Sequence, residues 1–316
     1  MTLVVAQKKG ICISLVSDTG VTSNGVQLGL EHHLPKVCIL NSQLAVGFAG
    51  ASELAVQAIA AFPREVSPTY HAVTQHFLNS HRTDNVDYII GFGAPLFKLA
   101  KISNNEVRQN RTFEWIGDQA GFENYQRFRT ERVDPAVPHF STMISSTRPS
   151  ERGTPTFDMV GCVRDVILGR RVHSVFGHPV AISNADGAFE LRSYAITLEE
   201  KSLAMPDGAA LDTFLRQLSE ARAYSFSCFV GSTGDTTNAV AFHYMRGKVT
   251  YVYYGQPGHA LTGYKSFTGL NIVEMGETTR AEYGISWIGA IGSRTGVPAD
   301  YGIPASAWRT QKSAAR

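Results

Sequence analysis

Apolar positions at the start of the chain come in short β-rich bursts, each closed by a turn signal. Residues 2–7 and 11–17 read as two strands around a Lys8-Lys9-Gly10 turn, the second rich in β-branched residues. Residues 18–25 form a polar, glycine-containing loop. Residues 36–40 and 44–49 read as two more strands around Asn41-Ser42, a tight hairpin. Gly50-Ala51-Ser52 then opens a helix that Ser52 is placed to cap. Leu54, Ala55, Ala58, Ile59 and Phe62 supply its helical spacing.

The pattern continues with a helix over 68–80 and a strand pair over 87–92 and 96–102. Residues 113–129 hold Gly117-Asp118 followed by Phe122, Tyr125 and Phe128 at helical spacing. Residues 135–155, rich in Ser, Pro and Thr, read as loop, and 157–167 as a helix. Residues 173–184 and 189–196 form a hairpin across Ala185-Asp186-Gly187, where Asp-Gly is a strong turn signal. An amphipathic helix is expected over 207–223, then strands over 226–230, 238–244 and 249–254, the last two joined at Arg246-Gly247. Strands that arrive as hairpins make antiparallel sheets rather than βαβ crossovers. The order of elements predicts an α+β chain built as a four-layer αββα sandwich, two antiparallel sheets between helix layers.

Composition removes several functions. The chain has 316 residues, 43% of them hydrophobic, and a formal net charge of +2 from 29 basic and 27 acidic residues. No dense basic block offers a nucleic-acid footprint; Arg164, Arg170 and Arg171 read as a solvated helix end. Cys12, Cys38, Cys162 and Cys228 show no CxxC spacing, so they read as reduced thiols rather than zinc ligands. No apolar run approaches the ~18 residues of a membrane span. The apolar run from Leu3 to Ala6 is too short for a secretory signal. A cytoplasmic protein is expected.

Against this background the segment 2–52 resembles the N-terminal part of proteasome β-type subunits and their bacterial relatives, peptidases of the N-terminal-nucleophile (Ntn) hydrolase superfamily. Thr2 follows a removable Met1. Asp18 ends the second strand in SLVSDTG. Lys36 stands directly before a strand in LPKVCILN. Gly50 closes the next strand in AVGFAGAS, and ELAVQAIAAF follows where the family has its first outer helix. The resemblance implies that Thr2 is the nucleophile and that its α-amino group is the base. It implies that Asp18 and Lys36 are catalytic and that the Gly50 N–H faces the substrate carbonyl.

The chemistry requires these residue types. A threonine hydroxyl is a poor nucleophile until a base takes its proton. An N-terminal threonine carries its own amine, with a pKa near ~8 in model peptides. A neighbouring Lys36 ammonium favours the neutral amine, and Asp18 keeps that ammonium charged and in position. A backbone N–H aimed at the oxyanion is worth ~3–4 kcal/mol of barrier. Removal of Met1 is expected because the residue behind it is small; a retained Met1 would turn the amine into an amide.

Further along, the sequence departs from the family. Where the family has Gly-Ser-Gly at the start of its third helix, this chain has Gly117-Asp118-Gln119. Asp118 is expected either to accept a hydrogen bond from the Thr2 amine, raising its pKa, or simply to cap the helix. Near the last core hairpin, His173 and Phe176 take the places of the family's Asp and Ser, and a rival alignment uses Asp165 and Leu168. Neither alignment retains the auxiliary serine.

The resemblance covers 2–196. Residues 197–292 are expected to be an extension, with a helix and a β-hairpin, packed on the core or completing it. Residues 293–316 are expected to be a loosely ordered tail. The resemblance implies a peptide or protein substrate, a homo-oligomeric ring and no cofactor. With no ATP motif in this chain, any ATP-driven unfoldase or regulator is a separate protein. Two rivals remain: a catalytically silent scaffold subunit, or the same nucleophile acting on a small amide. Glu31-His32-His33 reads as a loop triplet rather than a metal site. The GSTGDTTN stretch over 231–238 reads as a strand-to-strand loop, since no Gly-Lys-Ser/Thr ending and no helix follow it.

Overall fold

The computed structural model describes residues 2–63, 69–109, 111–131, 140–145, 154–169, 172–200, 226–234, 237–244 and 248–288. In order, the N-terminal part runs β1 (Leu3–Lys9), β2 (Cys12–Ser17), a small β3 (Thr22–Ser23) and β4 (Val26–Gln27) hairpin, β5 (Val37–Asn41), β6 (Leu44–Ala49), α1 (Ser52–Ala60) and α2 (Tyr70–Asp84). There follow β7 (Asp87–Phe92), β8 (Lys98–Ser103), β9 (Glu106–Gln109), β10 (Phe113–Gly117), α3 (Gln119–Glu131), β11 (Phe140–Ser145) and α4 (Thr156–Gly169). The rest comprises β12 (Val180–Ser183), β13 (Glu190–Leu191), β14 (Tyr194–Glu200), β15 (Phe226–Ser232), β16 (Thr237–Tyr244), β17 (Val249–Tyr254), β18 (Gly263–Thr268), α5 (Ile272–Tyr283) and β19 (Ser286–Ile288).

The chain is α+β, with three large antiparallel sheets and five helices among the described residues. The first sheet has the order β10-β1-β2-β12-β13, and the second is the meander β5-β6-β7-β8-β9. Alternation along β6 shows how the second sheet uses its two faces. Leu44, Val46 and Phe48 join Ala55 and Ile59 of α1 and Val73 and Phe77 of α2 in one apolar cluster. Ala45 and Ala49 turn the other way, into the cluster that holds Leu3, Val4 and Val5 of β1. Gly47 lies between them; a Cβ there would sit 2.7 Å from Val4 Cγ1. The small side of β6 therefore lets β1 come close, while its large side buries α1 and α2. The β1 cluster continues into Tyr125 and Phe128 of α3 and into Met159, Val160 and Val163 of α4. Full burial of each such large side chain contributes ~1.5–3 kcal/mol.

The third sheet has the order β11-β14-β15-β16-β17-β18, with β19 beside β14 on the same edge of β15. Its presence corrects several expectations. The expected 189–196 strand is split: Ile182 pairs with Leu191 in the first sheet, but Tyr194 to Ile196 pair with β15. Between the halves, the buried Arg192 guanidinium is held by Asp186 Oδ2 and the Ser183 carbonyl, both at 2.7 Å, which fixes the bend. β14 spans Tyr194–Glu200 and so joins the two segments expected to meet between 196 and 197. The 135–155 loop contains strand β11. Residues 113–117, ahead of the helical spacing, are a strand, with Glu114 and Ile116 buried and Phe113 and Trp115 half-buried.

Ser52 begins α1 but does not cap it; the N-cap is Ala51, without a side-chain bond. Arg164 is buried and bonded to Asp165, not solvated. α5 was not anticipated, although Asn271 and Glu274 form a capping box at its start. The expected helix over 207–223, the Arg246-Gly247 turn and the tail from 293 lie outside the described residues.

Candidate active site

Antiparallel pairing of β1 with β2 sets Val4 opposite Ser17, so Thr2 and Asp18 meet at the same end of the hairpin. Asp18 Oδ1 accepts the Thr2 hydroxyl and, at 3.0 Å, the Leu3 N–H. Asp18 Oδ2 accepts from Gly20 N at 3.2 Å and Phe176 N at 3.4 Å, and lies 3.5 Å from Lys36 Nζ. Lys36 Nζ also donates to the Gly20 carbonyl, and Lys36 N donates to Ser17 Oγ at 3.2 Å. Thr2, Asp18 and Lys36 are 1%, 0% and 3% exposed. Burial holds the Lys36 ammonium below the usual lysine range, and the Asp18 charge beside it opposes that shift. The structure therefore brings together three of the residues the sequence singled out.

Gly117 and Asp118 lie against Thr2 from the other side. Gly117 pairs with Leu3 at φ +104°, and a Cβ there would fall 2.0 Å from the Thr2 carbonyl oxygen. Only glycine fits that approach. The next N–H, of Asp118, donates to the Thr2 carbonyl at 2.6 Å. The Asp118 carboxylate caps α3, accepting from Gly121 N on Oδ1 at 2.8 Å. Its Oδ2 accepts from Ser174 Oγ at 2.6 Å.

Ser174 is the residue that sequence reasoning missed. Attention to the family's serine position led to Phe176, whose contributions here are its backbone and its ring. The Phe176 carbonyl accepts from Gly20 N at 2.8 Å, and the ring covers Gly20. His173 accepts Gln27 Nε2 on its carbonyl at the exposed rim, and Asp165 lies on α4 bonded to Arg164.

Gly50 is not tied to this cluster by any hydrogen bond among the described residues. It is exposed at φ +127°, and a Cβ there would meet Asn85 O at 3.1 Å and Val86 Cα at 3.2 Å. Its need for glycine comes from the turn between α2 and β7. The glycine of β6 that faces β1 is Gly47.

The other motifs separate from one another. His32 and Glu31 form an exposed pair at 3.8 Å. His33 is buried, and burial, with the Lys36 charge second, lowers its pKa to about 4. The 231–238 stretch links β15 to β16, with Asn238 Oδ1 accepting from Thr233 N at 2.9 Å. No helix among the described residues is long and apolar enough to cross a membrane.

No family model and no curated protein matches the chain. Among solved structures it is similar to a Gly-1 mutant of Anbu from Hyphomicrobium sp. strain MC1. The two are 14% identical, covering 70% of this chain and 94% of that one, at a TM-score of 0.41. It is also similar to HslV from Trypanosoma brucei, 14% identical over 57% of this chain and 98% of that one, at a TM-score of 0.39. A third is Thiobacillus denitrificans BPH in complex with epoxomicin, 11% identical over 57% of this chain and 97% of that one, also at 0.39. Likenesses of this size carry no weight on function.

Proposed function

We propose that the chain is an N-terminal threonine amide hydrolase of the proteasome-related type, acting on peptides once Thr2 is the first residue. The observation that carries this reading is the buried Asp18 carboxylate, with the Thr2 hydroxyl on one oxygen and the Lys36 ammonium beside the other. A carboxylate–lysine pair is costly to bury. Here it is set against a hydroxyl just ahead of the first strand, an arrangement suited to activating that hydroxyl.

The steps follow from the groups present. The free α-amine of Thr2 takes the Oγ1 proton as Oγ1 attacks the amide carbonyl. The Lys36 ammonium favours the unprotonated amine and the developing alkoxide, and Asp18 holds both Lys36 and the hydroxyl. The Gly50 N–H, just beyond the end of β6, is assigned to the oxyanion. The amine then passes its proton to the leaving amine, and water hydrolyses the Thr2 ester. The Asp118 carboxylate is bonded to Gly121 N and Ser174 Oγ, and the reading gives its charge the further effect of favouring the protonated amine.

The same reading takes the first two sheets, with α1/α2 outside one and α3/α4 outside the other, as the αββα arrangement. It takes 2–196 as the hydrolase core and 197–292 as an extension that completes it. It implies a homo-oligomeric ring, a cytoplasmic setting and a separate regulator. A chain that runs as a monomer in size-exclusion with light scattering contradicts the ring.

Thr2→Ala, with folding retained, is expected to abolish turnover of fluorogenic peptides and adduct formation with an epoxyketone or boronate. Unchanged turnover overturns the assignment. The replaced serine positions favour one second reading, a silent scaffold subunit, which retains Met1. Cleavage of small acylated amines but not of peptides would mark a small-amide hydrolase.

A further inference from the structure

The third sheet closes on the loop that carries Asp18. Residues 174–179 run across the segment 18–20. Phe176 N donates to Asp18 Oδ2, Gly20 N donates to the Phe176 carbonyl, and His178 N donates to Thr19 Oγ1 at 2.9 Å. Thr19 is fully buried, and its carbonyl accepts from Leu34 N at 2.8 Å, two residues before Lys36. The position of Asp18 thus depends on where 176–178 is held.

What holds it comes from the third sheet. The His178 ring stacks on Phe242 of β16, centroids 4.3 Å apart and planes 13° apart. Phe226 of β15 meets it edge-on, and Tyr244 of β16 and Tyr251 and Tyr253 of β17 lie 5.4 to 6.3 Å away. Tyr194 of β14 donates its hydroxyl to the carbonyl of the next residue, Pro179. His178 is 3% exposed, and its Nδ1 has no hydrogen-bond partner among the described residues. The ring is held as an aromatic body.

We propose that His178 is a positioning residue. By packing into the aromatic box of the third sheet it fixes the 174–179 loop, and through Phe176 and Thr19 it fixes Asp18 against Thr2 and Lys36. The added sheet is then part of the active-site scaffold and not an independent appendage. This rests on the proposed threonine chemistry for its catalytic consequence, but the mechanical coupling stands apart from it. Misplacing a reacting group by on the order of 1 Å costs about a hundredfold in rate, so even a partial loosening of the loop is measurable.

Two readouts on the full chain separate the claims: amide hydrogen exchange over residues 15–36, and the rate of Thr2 labelling by a peptide epoxyketone. His178→Ala is expected to speed exchange at Gly20 and Leu34 and to slow labelling by about tenfold or more. Its effect should fall on the rate at saturation and not on half-saturation. His178→Phe, which keeps the aromatic body, is expected to restore both readouts. If His178→Ala does not fold, Phe242→Leu, which removes the stacking partner, carries the same expectation. Wild-type exchange and labelling in a folded His178→Ala or Phe242→Leu variant overturn the proposal. So does a His178→Phe variant as impaired as the alanine, which would assign the role to the ring nitrogens. Exchange that responds in a chain whose wild type never labels leaves the coupling standing and removes the proposed function.

Discussion

Lys36 Nζ lies 3.5 Å from Asp18 Oδ2, with both side chains almost wholly withdrawn from water. An ion pair in such a place costs desolvation on both sides, and removing one partner leaves the other charge stranded. Asp18→Ala is therefore expected to destabilise the fold by ~3–5 kcal/mol, and a double variant that also replaces Lys36 by Met to recover part of that loss. Urea unfolding of the three proteins checks it. A double variant less stable than the single would contradict the account of the pair.

Gly117 makes a sharper steric case. A methyl group there would occupy the space of the Thr2 carbonyl oxygen, 2.0 Å away, at a positive φ. Gly117→Ala is expected to displace Thr2 and to lose labelling there while the third sheet persists. Labelling kinetics together with near-UV circular dichroism measure both effects; wild-type kinetics would contradict the geometry.

Asp118 has a structural and an electrostatic role that two variants separate. Asp118→Ala removes the α3 cap and is expected to cost ~1 kcal/mol. Asp118→Asn keeps an oxygen for Gly121 N but removes the carboxylate charge at the residue next to Gly117. Its acid limb of labelling against pH is expected to move to lower pH, because the amine then deprotonates more readily. A limb unmoved in Asp118→Asn would place the amine out of reach of this carboxylate.

The buried histidines set a pH dependence of stability. Burial, with the His33 charge second, lowers the His178 pKa from 6.5 to about 3. The unfolded chain then binds a proton that the folded chain refuses over that whole window. The stability associated with a neutral His178 is complete above its unfolded pKa of 6.5 and is lost as pH falls toward about 3. The loss is ~1.4 kcal/mol per pH unit. The stability difference between wild type and His178→Phe should shrink, or shift in favour of the variant, by that slope as urea titrations move from about pH 7 to about pH 5. Carboxylates common to both proteins cancel in the difference. A constant difference would mean that His178 is not buried as described.

Much of the first two sheets was legible because their signals are local. Asn41-Ser42 and Asp186-Gly187 mark turns, and Phe122, Tyr125 and Phe128 mark a helical face. Thr2, Asp18 and Lys36 were legible as a set only through the resemblance of 2–52 to the proteasome-related family, since each taken alone reads as an ordinary strand-end residue. What escaped depends on pairing between distant residues or on competing periods. Phe113-Glu114-Trp115-Ile116 alternates as a strand, but it leads directly into the helical spacing behind it. The crossing of β14 to the third sheet is set by Arg192 reaching back to Asp186 and Ser183, a tertiary event without a local mark. Ser174 lies far from Asp118 in the chain, so only the fold makes them neighbours. The Asn271–Glu274 capping box is a local signal for α5.

The central claim is that Thr2 acts with its own amine. Intact-mass and N-terminal analysis of the mature protein, before and after treatment with a peptide epoxyketone, tests it most directly. The account predicts a chain that begins at Thr2 and gains one inhibitor on that residue. A mature chain that still carries residues before Thr2, or a free Thr2 that forms no adduct, would contradict it.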